Sequence, residues 1–337
     1  MKPKQIILFL IALLAYHFFR LGLDAGMLYK VRQTGMEQCH IRANIGGPED
    51  LEYSKLWNGA IASAGEDGAL YFLPNSGGHL RLTEKLPFPF HPHGISIFET
   101  SDTLVVAAVN HRAEESTIEI FSGKKPGELQ FVKTIRDPAI ITPNDLALTS
   151  ANSFYFTNDH GSANHLLQSW EHFTRMGKGN LSFFNGKNVQ VLLPNLFFAN
   201  GVTLDKAREL IYVALMLEKR IAVYHIKNPA ELEFSHYLPL ESAPDNLSLD
   251  GSGNLFIGAH PKVLTLKQHS EKHSTPSPTQ IWRIRRPYLE SSKPEKLFED
   301  DGKIISASSV ALPVGDHLLL GAIYDTKVMD CVMPKTD

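Results

Sequence analysis

Asn144-Asp145-Leu146-Ala147-Leu148, followed after a short turn by Phe154-Tyr155-Phe156, is the stretch that decides the fold. A polar pair opens a run of alternating apolar positions, and a turn leads into a second apolar run. Related phrases begin at Asn58-Gly59, His93-Gly94, Asn200-Gly201, Asn246-Leu247 and Ser308-Ser309. Each is followed by a strand-like stretch such as Leu104-Val105-Val106-Ala107 or Leu210-Ile211-Tyr212-Val213. Successive phrases start roughly 35 to 62 residues apart, a spacing that suits four-stranded propeller blades with loops of unequal length. Six copies predict an all-β, six-bladed β-propeller. Radial repetition would gather the six strand starts around one axis, so that polar residues far apart in sequence meet in one site.

A chain of 337 residues with 43% hydrophobic composition can bury a large core as one domain. No Pro/Gly/Ser-rich break near the middle favours two sandwiches, and the uneven spacing disfavours a parallel β-helix. The net charge of −3 comes without long charged blocks, so nucleic acid is not implied as a partner. Helices are expected to be few, with short ones over Ala163 to Met176, on an insertion, and over Leu21 to Gln33.

The start of the chain, Met1-Lys2-Pro3-Lys4 and then an apolar run from Ile6 to Ala15, reads as a secretory signal or an uncleaved signal anchor. The expected organisation is residues 1–20 as that signal or anchor, 21–38 as a helical linker, and 39–337 as the propeller. This places the propeller in the secretory pathway on the non-cytosolic side, extracellular or membrane-anchored. Cys39 lies just before the first repeat and Cys331 just after the last strand, where a disulfide would close the ring; two unrelated thiols are the alternative.

Acidic and amide residues mark the blade starts. Glu49, Asn144, Asn200, Asp245 and Asn246 offer carboxylate and carboxamide oxygens without cysteine, the donor chemistry of a hard cation such as calcium. Five protein ligands leave positions for water or a substrate oxygen, the open coordination of a Lewis acid. Neighbouring strand residues point in opposite directions, so Asp50 and Asp145, with the Ile95 carbonyl, suit a second, structural ion. Asn and Asp also open turns for local reasons, by bonding to their own backbone. His93 stands at the mouth of the second phrase and His111 at the end of the next strand; if the hairpin register brings them together, one imidazole can deprotonate water while the other relays the proton. His160 and His260 follow strands of the third and fifth blades and are further pocket candidates, with structural hydrogen bonding as the alternative. Gly-x-Ser-x-Gly, His-Glu-x-x-His and dinucleotide fingerprints are all absent from the sequence.

Glu49-Asp50, Pro92-His93-Gly94-Ile95-Ser96, Val109-Asn110-His111, Asn144-Asp145, Thr157-Asn158-Asp159-His160, Phe198-Ala199-Asn200-Gly201, Asp245-Asn246-Leu247-Ser248 and Gly258-Ala259-His260-Pro261 together resemble the serum paraoxonase/arylesterase family. The resemblance runs from about Cys39 to Cys331. It implies a six-bladed propeller with two Ca2+ ions in its tunnel, a disulfide joining the ends, and hydrolysis of lactones, with promiscuous action on aryl esters and organophosphates. It also implies the first calcium set as catalytic, the second as structural, and His93 with His111 as a dyad. Two departures stand out: the segment between Asp50 and His93 is shorter than in typical members, and Ala259 replaces a cysteine.

Competing readings are a sugar-lactone hydrolase of the same architecture and a non-enzymatic propeller stabilised by calcium. The substrate expected is a small lactone or ester. Long-chain and acyl-homoserine lactones are suggested by Phe88, Phe90, Leu196, Phe197 and Phe198, residues that suit an apolar approach or simply the core. The helix candidate carries Leu166, Leu167, Trp170 and Phe173, fit for a pocket wall, membrane contact or a buried cap. Asn180-Leu181-Ser182 is a glycosylation pattern. The sequence fixes no oligomeric state.

Overall fold

The computed structural model describes residues 3–334 and contains six four-stranded antiparallel sheets. Blade 1 comprises Leu51–Ser54, Gly59–Ala64, Ala69–Pro74 and Leu80–Arg81. Blade 2 is Pro92–Glu99, Leu104–His111, Ser116–Gly123 and Gln130–Ile135, and blade 3 is Pro143–Ser150, Ser153–Asn158, Gly179–Phe184 and Val189–Leu196. Blade 4 is Ala199–Asp205, Leu210–Leu215, Arg220–Asn228 and Glu231–Pro239, and blade 5 is Ala243–Leu249, Leu255–His260, Thr279–Ile284 and Pro294–Asp300. Blade 6 takes Ser308–Val314, His317–Ala322 and Val328–Val332 from the end of the chain and its outer strand, Cys39–Ala43, from the beginning. Cys39 and Cys331 face each other in that pairing and are joined by a disulfide.

The apolar runs are nearly continuous because each blade is covered on both faces. Alternate side chains of a strand point to opposite sides, and each side meets a neighbouring blade. Phe154 and Phe156 pack with blade 2, against Val105, Ala107 and Ile118, whereas Tyr155 between them packs with blade 4, against Val202 and Ile211. Ile61 joins the core between blades 1 and 2, while Ala60 and Ala62 join that between blades 6 and 1. One such cluster fills every blade interface, closing the ring.

The innermost strands touch their neighbours around the axis, and small and charged residues alternate there. Asp50 accepts the N–H of Leu51 and, across the blade boundary, that of Ile95, both at 2.8 Å. Asp145 repeats this with Leu146 and Val202, both at 2.7 Å. At the equivalent step of blades 2 and 4 stand Gly94 and Gly201. A Cβ on Gly94 would sit 2.5 Å from the Asn144 carbonyl and 2.7 Å from Asp145 Oδ1, and one on Gly201 would sit 2.5 Å from the Asp245 carbonyl.

Some expectations are corrected. The first repeat is displaced: Gly59–Ala64 is the second strand of its blade, and the short strand Leu51–Ser54, entered through Glu49-Asp50, is the inner one. The helix expected over Leu21 to Gln33 does not form; Leu21 to Asp24 complete an N-terminal helix, Pro3–Asp24, and Gly26, with φ at +78°, turns the chain away. The insertion does form a helix, His165–Thr174, with Asn164 capping the N–H groups of Leu166 and Leu167. A third helix, Val263–Glu271, follows blade 5's second strand. Asn180 is buried in a blade 3 strand and its Oδ1 accepts from Asn158 and Ser182, so no glycan fits there in the folded chain.

Two tests follow from the ring. Cys39→Ser should lower the denaturant midpoint, because the disulfide spans 292 residues and loop closure of that length is worth roughly 5 kcal/mol in the entropy model; an unchanged midpoint in equilibrium unfolding would contradict this role. Gly94→Ala should destabilise by about 1–3 kcal/mol through overpacking, whereas Gly127→Ala, with open space at its Cβ, should not share that loss; thermal melts of the pair decide it.

Candidate active site

The strand starts bring Glu49, Asp50, Asn144, Asp145, Asn200, Asp245 and Asn246 to the axis, and all seven are buried. Four oxygens of this group are buried without any hydrogen-bond partner: Glu49 Oε2, Asn144 Oδ1, Asn200 Oδ1 and Asn246 Oδ1. Other polar atoms of the same residues are engaged. Asn246 Nδ2 donates to Glu49 Oε1 at 2.7 Å, and Asn200 Nδ2 donates to Met216 Sδ at 3.5 Å. The amide nitrogens of Asn246 and Asn200 thus have partners while their oxygens are left free. An unsatisfied buried polar group costs about 1–3 kcal/mol, so four together would cost an amount comparable to the whole stability of a typical domain, about 5–15 kcal/mol.

Electrostatics point the same way. Burial, with Asp50 and Asp245 nearby, pushes the Glu49 carboxyl well above the usual range. Burial lifts Asp50 to about 7 despite its two backbone donors, and burial with the neighbouring Asp50 charge raises Asp145 strongly. Neither lysine nor arginine is paired with any of the four carboxylates among the described residues; their ion-pair partners are His93, with Nε2 3.7 Å from Glu49 Oε1, and His260, with Nε2 2.7 Å from Asp245 Oδ2. Among the described residues no three His, Cys, Asp or Glu side chains group as a metal site. The unpartnered donors are instead mostly carboxamide oxygens. One carboxylate and three carboxamide oxygens in a negative, dry setting fit a hard oxygen-seeking cation, with calcium's tolerance of irregular geometry.

The two histidines expected to meet do so. The hairpin of blade 2 sets the His93 and His111 rings 5.2 Å apart, centre to centre, and His111 Nδ1 is held by Ser116 Oγ at 3.1 Å. Burial holds His93 below its ordinary value and, together with the His93 charge, takes His111 to about 4. Both imidazoles are therefore neutral at neutral pH and able to accept a proton.

The remaining candidates divide. His160 bonds Asp159 Oδ1 through Nδ1 at 2.7 Å and His172 through Nε2 at 2.8 Å, and Phe198 packs on both rings. His260 is fully buried, bonded to Asp245, and does not line the cavity that opens between the chain's three helices. Phe197 and Phe198 do line that cavity, whereas Phe90 belongs to the core between blades 1 and 2, with Phe88 packed against it and Arg112 over the Phe88 ring. Sequence reading missed His172, Met216 and Tyr324. The signal of the helix that carries His172 lies in its apolar residues, and Met216 and Tyr324 carry no local signal.

The chain matches the arylesterase family model over residues 79–332. Human serum paraoxonase/arylesterase 1 is 29% identical over 321 residues, covering 88% of this chain and 89% of that protein. Serum paraoxonase/lactonase 3 of Rattus norvegicus is 27% identical over 318 residues with the same coverage, 88% and 89%. Among solved structures, a gluconolactonase from Xanthomonas campestris superposes with a TM-score of 0.58 at 11% identity, covering 90% of this chain and 94% of that one, a likeness of fold alone. A family match over most of the propeller, on a chain whose unpartnered buried oxygens stand at the strand starts with His93 beside Glu49, leads to one conclusion: this protein belongs to the arylesterase (paraoxonase) family, whose members are typically calcium-dependent.

Proposed function

We propose that this protein is a calcium-dependent hydrolase of lactones, with aryl esters and phosphotriesters as secondary substrates. The observation that carries the reading is the set of four unpartnered buried oxygens among carboxylates that no lysine or arginine neutralises. Glu49, Asn144, Asn200, Asp245 and Asn246 would hold a catalytic Ca2+, and Asp50, Asp145 and the Ile95 carbonyl a structural one. Bound at the first set, calcium supplies a Lewis acid for the carbonyl and for the negative charge that develops on its oxygen.

The protein's own groups then do the proton work. His93, neutral and partly exposed at the tunnel mouth, takes a proton from the attacking water. His111 lies beside it to relay that proton, its ring fixed by Ser116. Asp245 is held in position by the buried His260. A carboxylate of the calcium set is the alternative base: Glu49, bonded by Asn246 and facing His93, or Asp245.

The apolar helix Pro3–Asp24 has 22 residues and is long and apolar enough to cross a membrane, with no residue of that window buried. With the disulfide, it supports a secretory-pathway protein, membrane-associated through this segment, the propeller on the oxidising side.

Turnover of aliphatic lactones, acyl-homoserine lactones and phenyl acetate should vanish on calcium chelation and return when calcium is restored, with the fold followed by circular dichroism. No turnover from a folded, calcium-loaded protein would favour a binding propeller. His93→Gln should lower kcat/KM by about 10²–10⁴-fold, the usual range for a general base, while calcium content stays constant by elemental analysis. Full activity of that variant would shift the base to Glu49 or Asp245.

A further inference from the structure

A cavity of about 770 Å³ has walls that come from three helical pieces. Leu21, Asp24 and Ala25 stand at the end of the N-terminal helix, His172 and Phe173 on the second helix, and Val263 and Leu266 on the third. The candidate calcium ligands do not themselves line it. Its floor reaches them through Met216, which accepts from Asn200 Nδ2, and also includes His160 with Phe198 packed on its ring. Tyr324 also lines it, clamped by His273, which stacks on the ring at 4.3 Å.

The first wall is attached to the body at several points. Asp24 forms an ion pair with Arg175, His17 Nε2 lies 2.7 Å from the Phe173 carbonyl, and the Phe18 ring packs on Phe173. Gly26 is pressed against blade 5's exit, where a Cβ would come within 2.0 Å of the Pro261 carbonyl. Further on, Tyr29 donates to Glu299 at 2.6 Å and Gln33 to Asp300 at 2.9 Å, while Thr34 and Glu299 exchange backbone hydrogen bonds. A segment serving only as an address needs none of this.

The volume also exceeds what a lactone ring or an acetyl group requires; it is in the range that encloses a drug-sized ligand. Apolar side chains such as Leu21, Phe173, Phe198 and Leu266 share its lining with polar ones such as Asp24, Arg175 and Lys267, and each CH₂ buried against the apolar part would strengthen binding roughly fourfold.

Resting on the hydrolase reading, we propose that Leu21, Asp24 and Ala25 form a wall of the substrate site, that the hydrocarbon chain of a lactone or ester lies in this cavity against Leu21 and Ala25, and that the segment is a specificity-determining part of the working enzyme. The test uses the full chain in lipid nanodiscs. Leu21→Trp and Ala25→Leu fill the cavity from this wall, Asp24→Asn releases its ion pair, and Leu14→Trp, on the exposed helix away from the cavity, is the control. kcat/KM is measured on γ-lactones with alkyl chains from methyl to octyl, and binding of 11-(dansylamino)undecanoic acid is followed by fluorescence without turnover.

The expected result is a loss of at least tenfold on the octyl lactone, and a similar weakening of the probe, for Leu21→Trp and Ala25→Leu, with the methyl lactone within twofold. Asp24→Asn should flatten the chain-length preference, and Leu14→Trp should leave it unchanged. Equal losses on long and short substrates, no change in any variant, or no probe binding by the unmodified protein overturns the wall. If no lactone or ester is turned over but Leu21→Trp still weakens the probe, the wall stands and the hydrolase reading fails.

Discussion

Because each blade is sandwiched between two others, its side chains have only two apolar destinations, and most of the ionisable groups of an inner strand stand toward its ends, as Asp145 and Asp205 do. The clusters between blades consume the alternating Phe, Tyr, Val, Ile and Leu positions on both faces. Charged and amide groups are thereby swept to the strand starts, where Glu49, Asp50, Asp145 and Asp245 crowd together with histidine but no lysine or arginine as ion-pair partner among the described residues. Isolated carboxylates in that setting are too costly to keep ionised. The hydrophobic packing of the ring and the cation-seeking character of the tunnel are thus two results of one geometry.

The close approach of inner strands explains why charge alternates with glycine. Asp50 and Asp145 reach across a blade boundary to backbone N–H groups, and the strand that receives or flanks them must leave room. Gly94 and Gly201 supply that room. The same carboxylates therefore staple blade to blade and face the axis, so the mechanical and chemical roles of the strand starts are hard to separate by mutation.

Much of this was legible in the sequence because the repeat is written in residue types that a strand buried on both faces cannot avoid. Asn144-Asp145-Leu146 and Asn200-Gly201-Val202 stand at true strand starts. The first blade was misread because its inner strand, Leu51–Ser54, is short and contains Glu52 and Tyr53, while the second, Gly59–Ala64, is fully buried and looks more like the repeat. Val263–Glu271 escaped notice because Lys267, Gln268, His269 and Ser270 interrupt any apolar stripe. The His260 to Asp245 bond was invisible for a different reason: it depends on register between adjacent strands, which a blade start alone does not reveal. The cavity wall is the least legible part, since Leu21, His172 and Leu266 meet only through tertiary packing.

Blade 6 takes its outer strand, Cys39–Ala43, from beside the apolar helix and the other three from the far end of the sequence. During synthesis that early strand has no partner until Val328–Val332 has emerged, almost the entire chain later. If the helix is held in a bilayer, the waiting strand is tethered at the surface, and the incoming strand must find it there. Five blades can stack before closure, but the seam forms last, so oxidation of Cys39 with Cys331 would mark the finished ring, and a ribosome stalled shortly before Val328 would leave an open and sticky edge.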